Sequence, residues 1–107
     1  KNSICFRIDG DAQLNDSPAA AVFVAGSTAA VTTFEYEPGL IRDLKEFYDK
    51  VAPSNVHYHH DETWGDANGF SHVRATLTGP SMAIPFEKGK PLLGTWQQIV
   101  LVELGIG

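Results

Sequence analysis

The chain has 107 residues, 43% hydrophobic, 20% charged and 10% aromatic, the balance of one folded domain with its own core rather than of a disordered segment. Eight Lys and Arg against thirteen Asp and Glu give a formal charge of −5, the wrong sign for tracking a phosphate backbone, which argues against a nucleic-acid partner. A lone cysteine, Cys5, allows neither an internal disulfide nor a Cys-x-x-Cys zinc motif; with no apolar run of ~20 residues and no charged-then-apolar leader, the expected setting is the cytoplasm, without a membrane partner.

In chain order, residues 3–8 and 20–25 are short apolar runs separated by the turn formers Gly10, Asn15, Asp16, Ser17 and Pro18, which predicts two strands. Gly26-Ser27-Thr28 punctuates the second, and the Val- and Thr-rich residues 29–34 fit a third extended segment. From Pro38 the period changes. Leu40, Ile41, Leu44, Phe47, Tyr48 and Val51 recur at helical spacing with charged residues between them, so an amphipathic helix follows Glu35 and Glu37, takes Pro38 in its first turn and is closed by Pro53. Residues 54–69 keep no apolar period and read as a long loop, a length that inside a compact domain points to function. Phe70, Val73 and Leu77 restart the helical period in a shorter helix that carries His72 and ends at Gly79-Pro80. Residues 81–86 and 92–104 are extended and joined by Glu87-Lys88-Gly89-Lys90-Pro91 as a final hairpin. Because residues 99–102 are apolar on both faces, that strand is expected to be central, or covered on its second face by a helix or a neighbouring subunit. The order predicts a single α+β domain over residues 1–107, mainly antiparallel sheet packed with two helices.

All four histidines, His57, His59, His60 and His72, fall within sixteen residues. His57 and His59 share a face if the chain is extended, and His60 has Asp61, Glu62 and Asp66 nearby; imidazole and carboxylate together suit zinc or another divalent metal. Their spacing matches no standard zinc signature, and an exposed polar loop with incidental histidines accounts for the same residues. His72 is placed to complete a ligand set, to act as a general base or simply to pack. Glu35 is a further proton-handling candidate, although a carboxylate just before a helix serves by default as cap or dipole partner. Gly26-Ser27-Thr28 has the small residues and hydroxyls of an anion-binding turn. P-loop, dinucleotide-binding and nucleophile-elbow signatures are all missing from the chain, and Cys5 sits in an apolar strand where thiols are inert.

Several blocks carry a resemblance to a known family. They are Val22-Phe23-Val24-Ala25-Gly26-Ser27-Thr28-Ala29-Ala30, Glu35-Tyr36-Glu37-Pro38-Gly39, Ala52-Pro53-Ser54-Asn55, and Thr63-Trp64-Gly65-Asp66-Ala67-Asn68-Gly69-Phe70-Ser71-His72. The most specific pairs Gly79-Pro80-Ser81 with Gly94-Thr95-Trp96-Gln97-Gln98. Over roughly residues 20–104 the chain resembles the archaeal-type branch of the YjbQ-like proteins, a family associated with secondary thiamine-phosphate synthase activity. The resemblance implies a small α+β domain assembling as a homotrimer, with pockets near subunit boundaries. It further implies Glu35 and His72 as catalytic residues, Ser27, Thr28, Asp66, Asn68 and Gln97 as contacts to a phosphorylated small molecule or anion, and His60, His72 and His59 as ligands to a divalent ion, zinc or magnesium.

Two departures stand out. The bacterial-type pattern has a histidine where this chain has Gly26, so a three-histidine site of that kind needs His59 as a substitute. The family also inserts a helix where this chain has only a short turn-rich stretch between Ile8 and Ala21, so the N-terminal part is shortened. Three functions remain open: a transferase joining a thiazole phosphate to an aminopyrimidine diphosphate, a non-enzymatic trimer that binds a metal or small anion, and a structural oligomer with inert histidines.

Overall fold

The computed structural model describes residues 4–8 and 18–105. Among the described residues, six strands and three helices follow one another as β1 (Ile4–Ile8), β2 (Ala19–Phe23), β3 (Ala29–Phe34), α1 (Pro38–Val51), α2 (His59–Trp64), α3 (Gly69–Thr78), β4 (Ser81–Glu87), β5 (Lys90–Pro91) and β6 (Gln98–Glu103). They form two three-stranded antiparallel sheets, ordered β1-β6-β3 and β2-β4-β5. The expected shortening before Val22, where the family inserts a helix, concerns residues 9–17, which lie outside the described residues.

The doubly apolar character of β6 has a direct cause. It is the central strand of its sheet, and its two faces feed different cores. Val100, Val102 and the following Leu104 pack with Ala30, Tyr48 and Ala75 on the side of α1 and α3. Ile99 joins Val31, Ile84 and Phe86 between the two sheets. β3 divides in the same way at adjacent residues, Ala30 toward the helices and Val31 toward the second sheet, as the two-residue period of a strand requires. The layers are thus helices, sheet and sheet, and each fully buried Val contributes roughly 1.5–3 kcal/mol.

Three expectations are corrected. Residues 54–69 are not one long loop, because α2 forms within them and brings the helix count to three. The helix carries no apolar stripe for a periodicity argument to detect; it starts where the Asp61 carboxylate reaches back to the Tyr58 N–H and stops at Gly65, whose φ of +69° is the left-handed conformation glycine supplies. The C-terminal third is not a single hairpin. β4 turns back only into the two-residue β5, through Lys88 and Gly89 at φ +53° and +77°, the geometry of a tight type I′ turn. Residues 92–97 then break the extended run, with Gln97 N–H donating to Gly94 O, and β6 continues in the other sheet.

At the start of α1 the cap is Glu37 rather than Glu35. Its carboxylate accepts from Gly39 N–H at 2.7 Å and Leu40 N–H at 2.8 Å, and Pro38 fills the first helical position, where no N–H is needed. Those two bonds hold the Glu37 carboxyl below the usual glutamate value of 4.5 against a small opposing effect of desolvation. A carboxylate with a depressed folded pKa stabilises fully above its unfolded value and loses that contribution as pH falls through the folded one. Glu37→Gln is therefore expected to lower the melting temperature by a few degrees near neutrality and to converge on the parent as pH falls below 4.5 and through the depressed folded-state value, read by thermal melts across that range.

Candidate functional site: the α2–α3 elbow and its cavity

α2 and α3 meet at a tight elbow. The turn between them places both Gly65 and Ala67 at positive φ, and Gly69 enters α3 fully packed against Tyr58. Asp61 ties the two helices together: one carboxylate oxygen accepts from Tyr58 N–H at 3.1 Å, the other from Gly69 N–H at 3.0 Å. Desolvation pushes the Asp61 carboxyl up, but these amides and the nearby His57 and His60 more than offset it, and the net shift is downward. Tyr58, lifted by burial above the usual phenol value, donates its hydroxyl to Pro53 O at 2.6 Å and anchors the start of α2.

This elbow gathers potential metal donors. His60 Nδ1 lies 4.0 Å from Asp61 Oδ1 and 3.9 Å from Asp66 Oδ1, and the three residues offer ligand atoms all within 4.8 Å of one another. Ligand atoms ~2.1 Å from a tetrahedral zinc are roughly 3.4 Å apart, so closing the set on an ion takes roughly half an ångström at each His60–Asp distance and up to about 1.4 Å between the carboxylates. Nitrogen with two carboxylate oxygens is also a donor chemistry that zinc accepts. Asn68, with its carboxamide nitrogen toward Asp66, donates to Oδ1 at 2.8 Å and steadies that carboxylate.

His72 stands beside this group. Its ring centroid is 4.2 Å from that of His60, tilted by 38°, and it also lines a cavity of about 280 Å³ with Gly26, Ser27, Ala29 and Thr76. A side chain added at Gly26 meets nothing within 4 Å. Thus the turn after β2 and the helix-borne imidazole share one concavity, adjoining the carboxylates.

The other residues singled out in the sequence lie elsewhere. His59 is fully exposed and faces Glu62, 3.5 Å away; successive helical residues point about 100° apart, so His59 and His60 occupy different faces. His57 Nε2 donates to the same Glu62 oxygen at 2.8 Å, and that bond with the His57 charge holds Glu62 below the usual range. Thr28 packs against Gly105 and accepts Leu104 N–H at its carbonyl. Glu35 is exposed before α1 and is not one of the three gathered donors. Gln97 accepts from Gly94 N–H and donates to Thr33 Oγ1, both at 2.9 Å, in a separate cleft between β3 and β4. Asp61, one of the carboxylates near His60 in the sequence, is the donor that also closes the first turn of α2. The signal for that second role is positional, a carboxylate three residues after Tyr58.

Comparison with known proteins places this geometry. A family model described as UPF0047 protein YjbQ-like matches residues 11–106. A UPF0047 protein of Archaeoglobus fulgidus is 42% identical over 82 residues, covering 77% of this chain and 64% of the relative, so the chain spans less than two thirds of that protein's length. UPF0047 protein YjbQ of Escherichia coli O157:H7 is 31% identical over 97 residues, covering 85% and 70% respectively. Among solved structures, a YjbQ-like protein of unknown function from Sulfolobus solfataricus P2 superposes with a TM-score of 0.81 at 28% identity, over 98% of this chain and 86% of the other. An uncharacterised conserved protein of the YjbQ/UPF0047 family from Clostridium acetobutylicum gives 0.78 at 29% identity, over 99% and 92%. With the family model spanning nearly the whole chain and the same fold in these structures, the chain belongs to the UPF0047, YjbQ-like family.

Proposed function

We propose that the chain binds a divalent metal ion, zinc by its donor chemistry, through His60, Asp61 and Asp66, and holds a phosphorylated small molecule in the adjoining cavity as a thiamine-phosphate synthase-like transferase. The carrying observation is the mutual approach of the three donors within 4.8 Å, beside a cavity that His72 shares. A bound ion would supply charge neutralisation at the phosphate. Ser27 contributes a hydroxyl and the N–H groups of its turn to phosphate oxygens. His72, resting on His60, holds or moves a proton at the substrate, a role its position supports better than that of Glu35.

A second reading, binding without turnover, is favoured by one feature. No Lys or Arg is among the described residues that line the cavity, so a departing diphosphate would rely on the ion alone. Assembly into a homotrimer completes the proposal. A radius of gyration of 15.5 Å exceeds the ~13 Å of a compact chain this long, and Phe47 and Val51 on α1, with Leu77 on α3, leave large apolar side chains exposed. Among the described residues no helix is long and apolar enough to cross a membrane.

The test is zinc titration of chelator-treated protein, followed by assay for thiamine phosphate. Expected are one ion per chain, a loss of affinity of about 100-fold or more in His60→Ala, and retained metal without product in His72→Ala. Gly26→His, adding an imidazole where space is open, is expected to tighten binding. Parent protein that takes up no stoichiometric zinc would overturn the metal site; zinc uptake without product would favour the second reading.

A further inference from the structure

The seam between β3 and β4 opens into a second concavity. Val31 N–H donates to Gly79 O at 3.1 Å, just before β4 begins, and β3 and β4 belong to different sheets, so no ladder joins them. Between them lies a cleft of about 290 Å³ that shares no lining residue with the His72 cavity. Ligand pockets span ~300–1,000 Å³, so this volume fits a small molecule.

The lining dictates what kind. No Asp, Glu, Lys, Arg or His is among the described residues around the cleft, and an ionised ligand would leave water with no opposite charge to meet it. Ile84, Leu92 and Leu93 provide apolar walls, and Thr33 and Gln97 provide polarity at one place. Gln97 Nε2 donates to Thr33 Oγ1 and Gln97 Oε1 accepts from Gly94 N–H. Those bonds use one of the two Gln97 amide hydrogens and leave the Thr33 hydroxyl hydrogen available, so two donors converge beside apolar surface.

We infer that this cleft binds an uncharged, partly apolar small molecule that offers a carbonyl or ring-nitrogen acceptor to Thr33 and Gln97. The site stands apart from the metal proposal and survives its failure.

The experiment is titration of the full chain with nicotinamide as the neutral probe and nicotinate as its charged counterpart, followed by ¹⁵N–¹H NMR. Saturable shifts are expected in the amides of residues 31–33, 81–85 and 92–97, with a dissociation constant in the millimolar range and nicotinate about tenfold weaker or more. Thr33→Val, which removes the hydroxyl without changing shape, is expected to weaken nicotinamide about tenfold, and Ala83→Phe to block it, whereas His72→Ala leaves it unchanged. Thr33→Val decides the matter should Ala83→Phe fail to fold. Absence of saturable shifts, equal binding of nicotinate, or indifference to Thr33→Val would each overturn the assignment.

Discussion

Arg74→Ala is expected to destabilise the fold by about 3–5 kcal/mol, more than most single substitutions in a domain of this size. The side chain is 1% exposed, yet it carries a full charge. Its Nε donates to Ala52 O at 2.9 Å and a terminal nitrogen donates to Asp49 Oδ1 at 3.0 Å, while the guanidinium lies 5.6 Å from the Tyr48 ring centre and 5.0 Å from that of Phe70. Ala52 caps the C-terminus of α1, so the charge also meets the negative end of that helix. Truncation would remove the volume, the ring contacts and the donor to a buried carbonyl at once. Arg74→Met restores much of the volume but leaves Ala52 O without that donor, so its cost should fall to roughly 1–3 kcal/mol. Asp49→Ala, at an exposed carboxylate, should cost least. Chemical denaturation of the three variants checks the order; equal effects of Ala and Met would show that the side-chain volume contributes little beside the lost hydrogen bond to Ala52.

Gly69→Ala is expected to cost about 2–3 kcal/mol and to impair metal uptake together with stability. A Cβ at this position would stand 2.5 Å from Tyr58 Cβ and 3.0 Å from Asp61 Oδ1. Tyr58 Cβ is fixed to the main chain, so relief requires α2 to move against α3, and that motion separates Asp61 from Gly69 N–H. Gly26→Ala, where an added methyl meets nothing within 4 Å, is the matched control and should stay within about 0.5 kcal/mol. A thermal melt read beside zinc titration decides the matter, and a Gly69→Ala protein with parental values in both would refute the close packing of the elbow.

What was legible in the sequence followed period. β3 and α1 appear with the expected bounds because the first is rich in β-branched Val and Thr and the apolar residues of the second recur at helical spacing. α2 was hidden, since His-His-Asp-Glu-Thr-Trp has no buried residue and owes its turns to Asp61, Gly65 and the elbow beyond. The crossing from β5 to β6 was hidden for a similar reason: Gly94 to Gln97 reverses through a side-chain bond to Thr33, a partner 64 residues away in the chain. At the site, the proximity of His60, Asp66 and His72 in the sequence hinted at their gathering. The separation of Gln97 into another cleft did not show, because only the division into two sheets creates it. Nothing local in the sequence marks Arg74, whose partners lie at the end of another helix.

The position of β6 has a consequence for how the molecule comes apart. One strand supplies Val100 and Val102 to the helical side and Ile99 to the intersheet side, so neither half keeps its hydrophobic lining if the other melts. The amides at the middle of β6 should therefore exchange with solvent only through whole-domain opening. Loss of the helical layer and loss of the second sheet should then coincide in a single cooperative transition.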